Sequence, residues 1–285
     1  MPRRNDAGSP PIITLTTDFG LADHYVAVMK GVILGICRDA AIVDVSHAVR
    51  PQRLVQAVFL TQAAWPAFPP DSVHVAVVDP MVGSQRRGLV IATPQGLFVG
   101  PDNGVLSAAL PEEARPAADR GAGQVPLPAG HMAFAITNRE LLRETVSATF
   151  HGRDVFAPVA AHLARGVSAH EAGEPVQSVC ALPPLRAARR DDGMLDARVV
   201  HIDRFGNVVT DARAEDLPEG PFAVEIGGQS VRGPVHTYAD AQGLAALAGS
   251  GGYLEIVLPM GDASAALAVD IDDTATVQPL SDAAR

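Results

Sequence analysis

The sequence predicts an α/β chain in two parts: an N-terminal α/β domain with a largely parallel sheet, then a smaller C-terminal all-β barrel domain. Three observations carry this prediction. Strand-length apolar runs alternate with helix-period runs through the first half. Helical periodicity then stops at a Pro- and charge-rich stretch, LPPLRAARRDDG at 182–193, and only short strand-like runs follow. The length of 285 residues suits about two domains at roughly 150 residues each. The expected boundaries are 1–182 for the first domain, 183–193 for a linker and 194–285 for the second.

The elements follow in order. Ile12–Thr16 reads as a buried strand. Asp23 is the expected N-cap of a helix in which Tyr25, Val28, Met29, Val32, Ile33 and Ile36 form one apolar face. Ala41–Val45 is a second strand. Leu54–Trp65 is a second helix, closed by Pro66 and Pro69-Pro70. Val73–Val78 is a third strand that runs into Asp79-Pro80. Leu89–Thr93 and Leu97–Val99, on either side of Pro94-Gln95-Gly96, read as a hairpin. Ala133–Ile136 is a strand, and Asp154–Arg165 a helix stopped by Gly166. Beyond the linker, Ala197–Asp203, Asn207–Thr210, Phe222–Ile226, Ser230–Arg232, Leu254–Leu258 and Leu267–Ile271 read as strands.

Composition narrows the function classes. Apolar residues make up 47% and charged residues 19%, so a core can form and wholesale disorder is excluded. The 22 basic and 32 acidic residues leave a formal charge of −10, and no basic run exceeds two residues. A face that tracks phosphates is therefore not expected, nor is nucleic acid as a partner. Lys30 is the sole lysine. Cys37 and Cys180 are too few and too far apart for a disulfide framework or a zinc motif. No apolar run approaches membrane-spanning length, and the polar start MPRRNDAGSPP has no signal-peptide core. A soluble, cytoplasmic protein without membrane contact is expected.

Several polar residues sit where open α/β sheets bind ligands, just beyond the carboxyl ends of strands. Asp18 follows the first strand in TTDFG and Asp79 follows the third in VVDP. An acid in such a place can hold a sugar diol, bind a metal, act as a base or simply cap a turn. Arg86 and Arg87 follow Asp79 after a short loop, and His151 precedes a helix in FHGRD. The other histidines are scattered without HxH or HxxxH spacing, and neither a P-loop nor GxGxxG occurs. Asn207, in RFGN, carries an amide able to pair with an adenine edge.

Five segments sharpen this picture: TTDFG (16–20, with Asp23 and Tyr25 beyond), VVDPMVGSQRR (77–87), VGPDNGVL (99–106), TFHGRDVFAPVAAHLARG (149–166) and IDRFGNVVTD (202–211). In this order they resemble the adenosine-forming S-adenosylmethionine hydrolases, or SAM hydroxide adenosyltransferases, relatives of the fluorinase and chlorinase. The resemblance spans about residues 12–275. It implies an N-terminal α/β domain, a C-terminal β-barrel, and a homotrimer with S-adenosylmethionine held between subunits. It also implies that water is activated by the residues matching Asp79, Arg86 and His151, with neither metal nor cofactor and with S-adenosylmethionine itself as the substrate. Asp18 matches the diol-binding acid. Asp23 and Asp203 match positions near the methionine end, and Ser250 one near its carboxylate. Phe205, Asn207 and Tyr238 match the adenine pocket.

The resemblance also separates branches. Halide-using relatives lack the acid matching Asp79 and the histidine matching His151, and they carry an inserted loop that is missing here. Water is therefore the expected nucleophile. A halogenase and a non-catalytic binder of adenosyl compounds remain the alternatives, and the acids alone would also allow a metal phosphohydrolase built on Asp18, Asp79 and Asp102. Three places depart from the family pattern: Met81 stands for a glycine, Pro259-Met260 for an Asn-containing stretch, and Asp211 for an asparagine.

Overall fold

The computed structural model describes residues 9–280. These divide into two compact units, one ending at Pro184 and the other beginning at Leu185. Among the described residues no helix is long and apolar enough to cross a membrane.

In the first unit the elements are β1 (Ile12–Thr17), α1 (Tyr25–Ile36), β2 (Ala41–Ser46), α2 (Leu54–Ala64), β3 (Val73–Val77), β4 (Gly88–Thr93), β5 (Gly96–Pro101), β6 (Gly123–Pro126), β7 (Met132–Ala135), α3 (Ala157–Ala164), β8 (Pro175–Val176) and β9 (Ser178–Ala181). Seven strands form one sheet in the order β2-β1-β3-β5-β4-β7-β8. β2, β1, β3 and β5 run parallel, while β4, β7 and β8 add antiparallel pairs. Strand side chains alternate between the faces. Ile13, Leu15, Val73, Val75 and Val77 pack with α1 and α3, whereas Ala76 and Val78 pack on the other face with α2. Phe156, just before α3, is fully buried. Its truncation to Ala would cost roughly 3–5 kcal/mol.

The second unit holds β10 (Ala188–Arg189), β11 (Leu195–Ile202), β12 (Val208–Arg213), β13 (Phe222–Ile226), β14 (Gln229–Gly233), β15 (Ala245–Ala248), β16 (Tyr253–Val257), α4 (Ala263–Leu267) and β17 (Thr274–Pro279). All pairings are antiparallel, in the order β14-β13-β17-β11-β12-β16-β15 with β10 beside β11. The two end strands approach each other, and Val235 N donates to Ala246 O at 2.9 Å. The sheet thus curls into a nearly closed barrel around Leu195, Phe222, Val224, Leu254, Ile256 and Val277.

Several local expectations change. His24, not Asp23, is the N-cap of α1, and no side chain caps it. The stretch 152–156 forms a π-type turn, so the regular part of the third helix starts only at Ala157. Leu267–Ile271 is not a strand: Leu267 ends α4 and Ala268 turns at φ 53°. The closing strand is Thr274–Pro279, whose sparse apolar residues hide it. Ala245–Ala248 is a strand despite an alanine-rich sequence that favours helix, because pairing with β16 overrides propensity. Met81 stays outside the left-handed region, and Gly83 takes the positive φ of that loop at 82°. Met260, by contrast, lies fully exposed at φ 57°, a conformation that costs a side-chain-bearing residue energy.

Candidate active site

The parallel sheet brings distant residues to one edge. Thr17 of β1 lies opposite Val77 of β3, so both chains leave the sheet at the same end. Asp18 follows at once and Asp79 two residues after β3. Arg86 returns to that end just before β4, whose Gly88 faces Pro101 of β5. His151 arrives at the start of the π-type turn that leads into α3.

Asp79, Arg86 and His151 form one hydrogen-bonded cluster. Arg86 Nε donates to Asp79 Oδ1 at 2.8 Å, and Arg86 Nη2 donates to Asp79 Oδ2. This is a two-point guanidinium–carboxylate fork. Nη2 also lies 2.7 Å from His151 Nδ1. A guanidinium only donates, so His151 Nδ1 must accept and the ring proton sits on Nε2. The imidazole is pushed below its ordinary value, first by burial and then by the Arg86 charge. The side chains of Arg86 and Asp79 are 9% and 5% exposed, and the guanidinium lies 5.5 Å from the centre of the Phe156 ring.

Asp18 stands close enough to feel Asp79. Burial raises its carboxyl above the ordinary value against a hydrogen bond from Gln52, and the Asp79 charge adds to the rise. The segment after β2, unnoticed in the sequence, forms its cradle. Gln52 N donates to Asp18 Oδ2 at 2.9 Å, from a backbone at φ 70°. His47 O accepts Gly20 N at 2.8 Å, and His47 Nδ1 lies 2.8 Å from Thr17 Oγ1, which accepts Phe19 N at 3.3 Å. His47 Nε2 sits 3.0 Å from Asp44 Oδ1, off the hydrogen-bond axis. Phe19, Tyr25 and Phe150 pack together, with ring centroids 5.2–6.0 Å apart; Phe150 meets both other rings edge to face, while Phe19 and Tyr25 are tilted to each other. Asp23 is not drawn in; it lies exposed ahead of α1.

The acids that could suggest a cation site are each engaged by other groups. Arg86 occupies both oxygens of Asp79. Asp102 accepts Arg87 Nε at 2.9 Å and the backbone N–H of Cys180 at 2.7 Å, so it ties β5 to β9. Among the described residues no group of three or more His, Cys, Asp or Glu side chains is arranged to hold a metal.

The second unit carries its own polar cluster. Asp203, Phe205 and Asn207 share the turn between β11 and β12. Gly206 takes φ 82° in that turn, and a Cβ there would overlap the Asp262 side chain. Tyr238 OH donates to Glu255 Oε2 at 3.1 Å. Burial raises the Glu255 carboxyl against that bond, and the Asp203 charge adds to the rise. Glu255 is a residue sequence reading missed. Ser250 lies exposed in the Gly249–Gly252 turn, where Gly252 N donates to Gly249 O at 3.0 Å. Asp211 is half-buried, desolvation raises its carboxyl above the ordinary value, and its Oδ1 accepts Arg198 N at 2.7 Å.

Family models decide the relationship. The SAM hydroxide adenosyltransferase N-terminal domain matches residues 13–173, and the C-terminal domain of the same family matches 197–276. The chain belongs to the SAM hydroxide adenosyltransferase family. A family relative from Salinispora tropica, named (R)-S-adenosyl-L-methionine hydrolase, is 40% identical over 232 residues, or 81% of this chain and 82% of that one. The crystal structure of an uncharacterized conserved protein from Thermotoga maritima superposes with a TM-score of 0.81 at 32% identity, covering 94% of this chain and all of the other. A fluorinase from Actinopolyspora mzabensis is more distant, at 24% identity over 75% of each chain. The chain is thus similar both to a hydrolase and to a fluorinase, and the identity is higher to the hydrolase.

Proposed function

We propose that this protein hydrolyses S-adenosyl-L-methionine to adenosine and L-methionine. The observation that carries the reading is the Asp79–Arg86–His151 cluster, a carboxylate, a guanidinium and an imidazole joined at one sheet edge in a chain of this family. The sulfonium leaves as a neutral thioether, so no acid is needed to protonate it. The demanding part is the nucleophile. Water attacks C5′, the carbon–oxygen bond forms, and the carbon–sulfur bond breaks with its electron pair on sulfur. The proton lost by the water passes to Asp79 and then to solvent. Each Asp79 oxygen keeps a lone pair beyond the Arg86 fork, enough to accept a hydrogen bond from the attacking water. Arg86 stabilises the developing hydroxide by its charge, and His151, neutral with a proton on Nε2, offers a donor beside it.

In the same reading Asp18 binds the ribose diol, while Asp23, Asp203 and Ser250 serve the methionine end. Phe205, Asn207 and Tyr238 receive the adenine. No metal or cofactor takes part. The enzyme works in the cytoplasm as a homotrimer in which each site draws residues from two subunits, so specific activity falls on dilution. An active monomer of dilution-independent rate, measured by light scattering and assay, contradicts that assembly.

The test is product chromatography after incubation with S-adenosylmethionine, with and without chloride or fluoride. Adenosine in halide-free buffer, abolished by Asp79→Ala, supports hydrolysis. A 5′-halo-5′-deoxyadenosine that appears only with halide would make the protein a halogenase. Tight binding with no product over hours would make it a binder only.

A further inference from the structure

On the turn between β11 and β12, hydrogen bonds decide which way one amide points. Asp203 Oδ1 accepts the backbone N–H groups of Phe205 at 2.8 Å and Asn207 at 2.9 Å, which clamps the carboxylate. Its Oδ2 accepts one hydrogen of Asn207 Nδ2 at 2.8 Å. A carboxylate accepts and cannot donate, so the Asn207 nitrogen must face Asp203 and its oxygen must face away. Asn207 is only 7% exposed. Among the described residues neither its Oδ1 nor its second amide hydrogen has a hydrogen-bond partner. A mostly buried amide that keeps one open acceptor and one open donor at the surface is set to pair with a ligand edge that complements both. Phe205, 77% exposed on the same turn, offers a ring for stacking a base.

We propose that Asp203 sets base specificity: by locking the orientation of the Asn207 amide it makes the site read the amino edge of adenine and reject the oxo edge of hypoxanthine. This rests on the adenosyl substrate proposed above. Asn207 Oδ1 accepts from the exocyclic amino group of adenine, and the open N–H donates to the neighbouring ring nitrogen. Hypoxanthine puts a carbonyl oxygen where the amino group was, so two acceptors meet. Turning the amide over would cure that clash, but it would set the Asn207 oxygen against the Asp203 carboxylate. The Asp203→Asn change removes the lock. Its Oδ1 still accepts the two backbone N–H groups, while the amide nitrogen now replaces Oδ2. That nitrogen donates, so the Asn207 side chain turns over to meet it with oxygen. The open edge then presents donor and acceptor in reverse order.

The experiment is calorimetry with adenosine and inosine, which lack the amino-acid end and so isolate the base. The wild-type protein binds adenosine about 5- to 150-fold more tightly than inosine, the range for one bidentate amide–base pair. In Asp203→Asn the ratio falls to within about threefold of unity or inverts. Asn207→Leu, which leaves Asp203 in place, erases the preference by weakening adenosine. Thermal melting of each variant checks folding, and if Asp203→Asn fails to fold, Asn207→Leu decides. Full adenosine preference in either folded variant overturns the proposal, as does equal affinity of the wild type for both nucleosides. A wild type that binds neither nucleoside and makes no adenosine refutes the substrate reading instead.

Discussion

Removing the Arg86 guanidinium should cost both stability and chemistry, and the two losses can be separated. Arg86 donates to both Asp79 oxygens, to His151 Nδ1 and, at 3.4 Å, to Arg87 O. Asp79 is only 5% exposed. Arg86→Met therefore strands a buried carboxylate, a change that costs about 3–5 kcal/mol. At about 2–4 °C per kcal/mol for a unit of this size, the melting temperature drops by roughly 6–20 °C. The double change Arg86→Met with Asp79→Leu leaves no unpaired charge and keeps apolar contact with Phe156. It should melt well above the single variant, because apolar replacement of a whole buried pair is often near neutral. Neither should form adenosine at more than about a hundredth of the wild-type rate. The assays are thermal melting and chromatographic adenosine release. A single variant that melts within about 2 °C of wild type, or a double no more stable than the single, would refute the account of the pair. Near-normal turnover in the double would remove the pair from the chemistry.

Other expectations follow from the same geometry. Because the His151 imidazole is held below its ordinary value of 6.5, the folded chain binds fewer protons than the unfolded one as pH falls through that value. Stability from this ring is full above 6.5 and declines on acidification, and the acid limb of kcat/KM should lie below 6.5 and vanish in His151→Gln; a limb above neutrality contradicts this. His74, buried between Trp65, Phe68 and Phe98, is pushed down to about 4 by burial, so unfolding free energy should fall between pH 6.5 and about 4. The full effect is about 3 kcal/mol, and His74→Phe should flatten that slope in urea titrations. Thr17→Val removes the hydroxyl that links His47 to Phe19 N and should raise KM about 5- to 30-fold with kcat little changed, whereas Thr17→Ser restores it. A fall in kcat at constant KM would place Thr17 elsewhere in the reaction.

The amino-acid sequence by itself determined the alternation of strands and helices, the change to a mostly β pattern after the 182–193 stretch, and the polar residues beyond the strand ends. Those features are local, written in residue periodicity and turn chemistry, and so were the ordered motifs that pointed to the family. Tertiary structure alone decided which of the polar residues meet. Parallel pairing of Thr17 with Val77 brings Asp18 beside Asp79, although about sixty positions separate them. It also decided that Asp23 stands apart, that Asp102 is tied up by Arg87 and Cys180, and that His47, Gln52 and Glu255 matter. Those three lack a motif because each acts across the fold, one through its backbone amide and two through a long-range side-chain bond. The alanine-rich β15 and the polar β17 escaped for a related reason: neighbouring strands, not their own residues, make them extended.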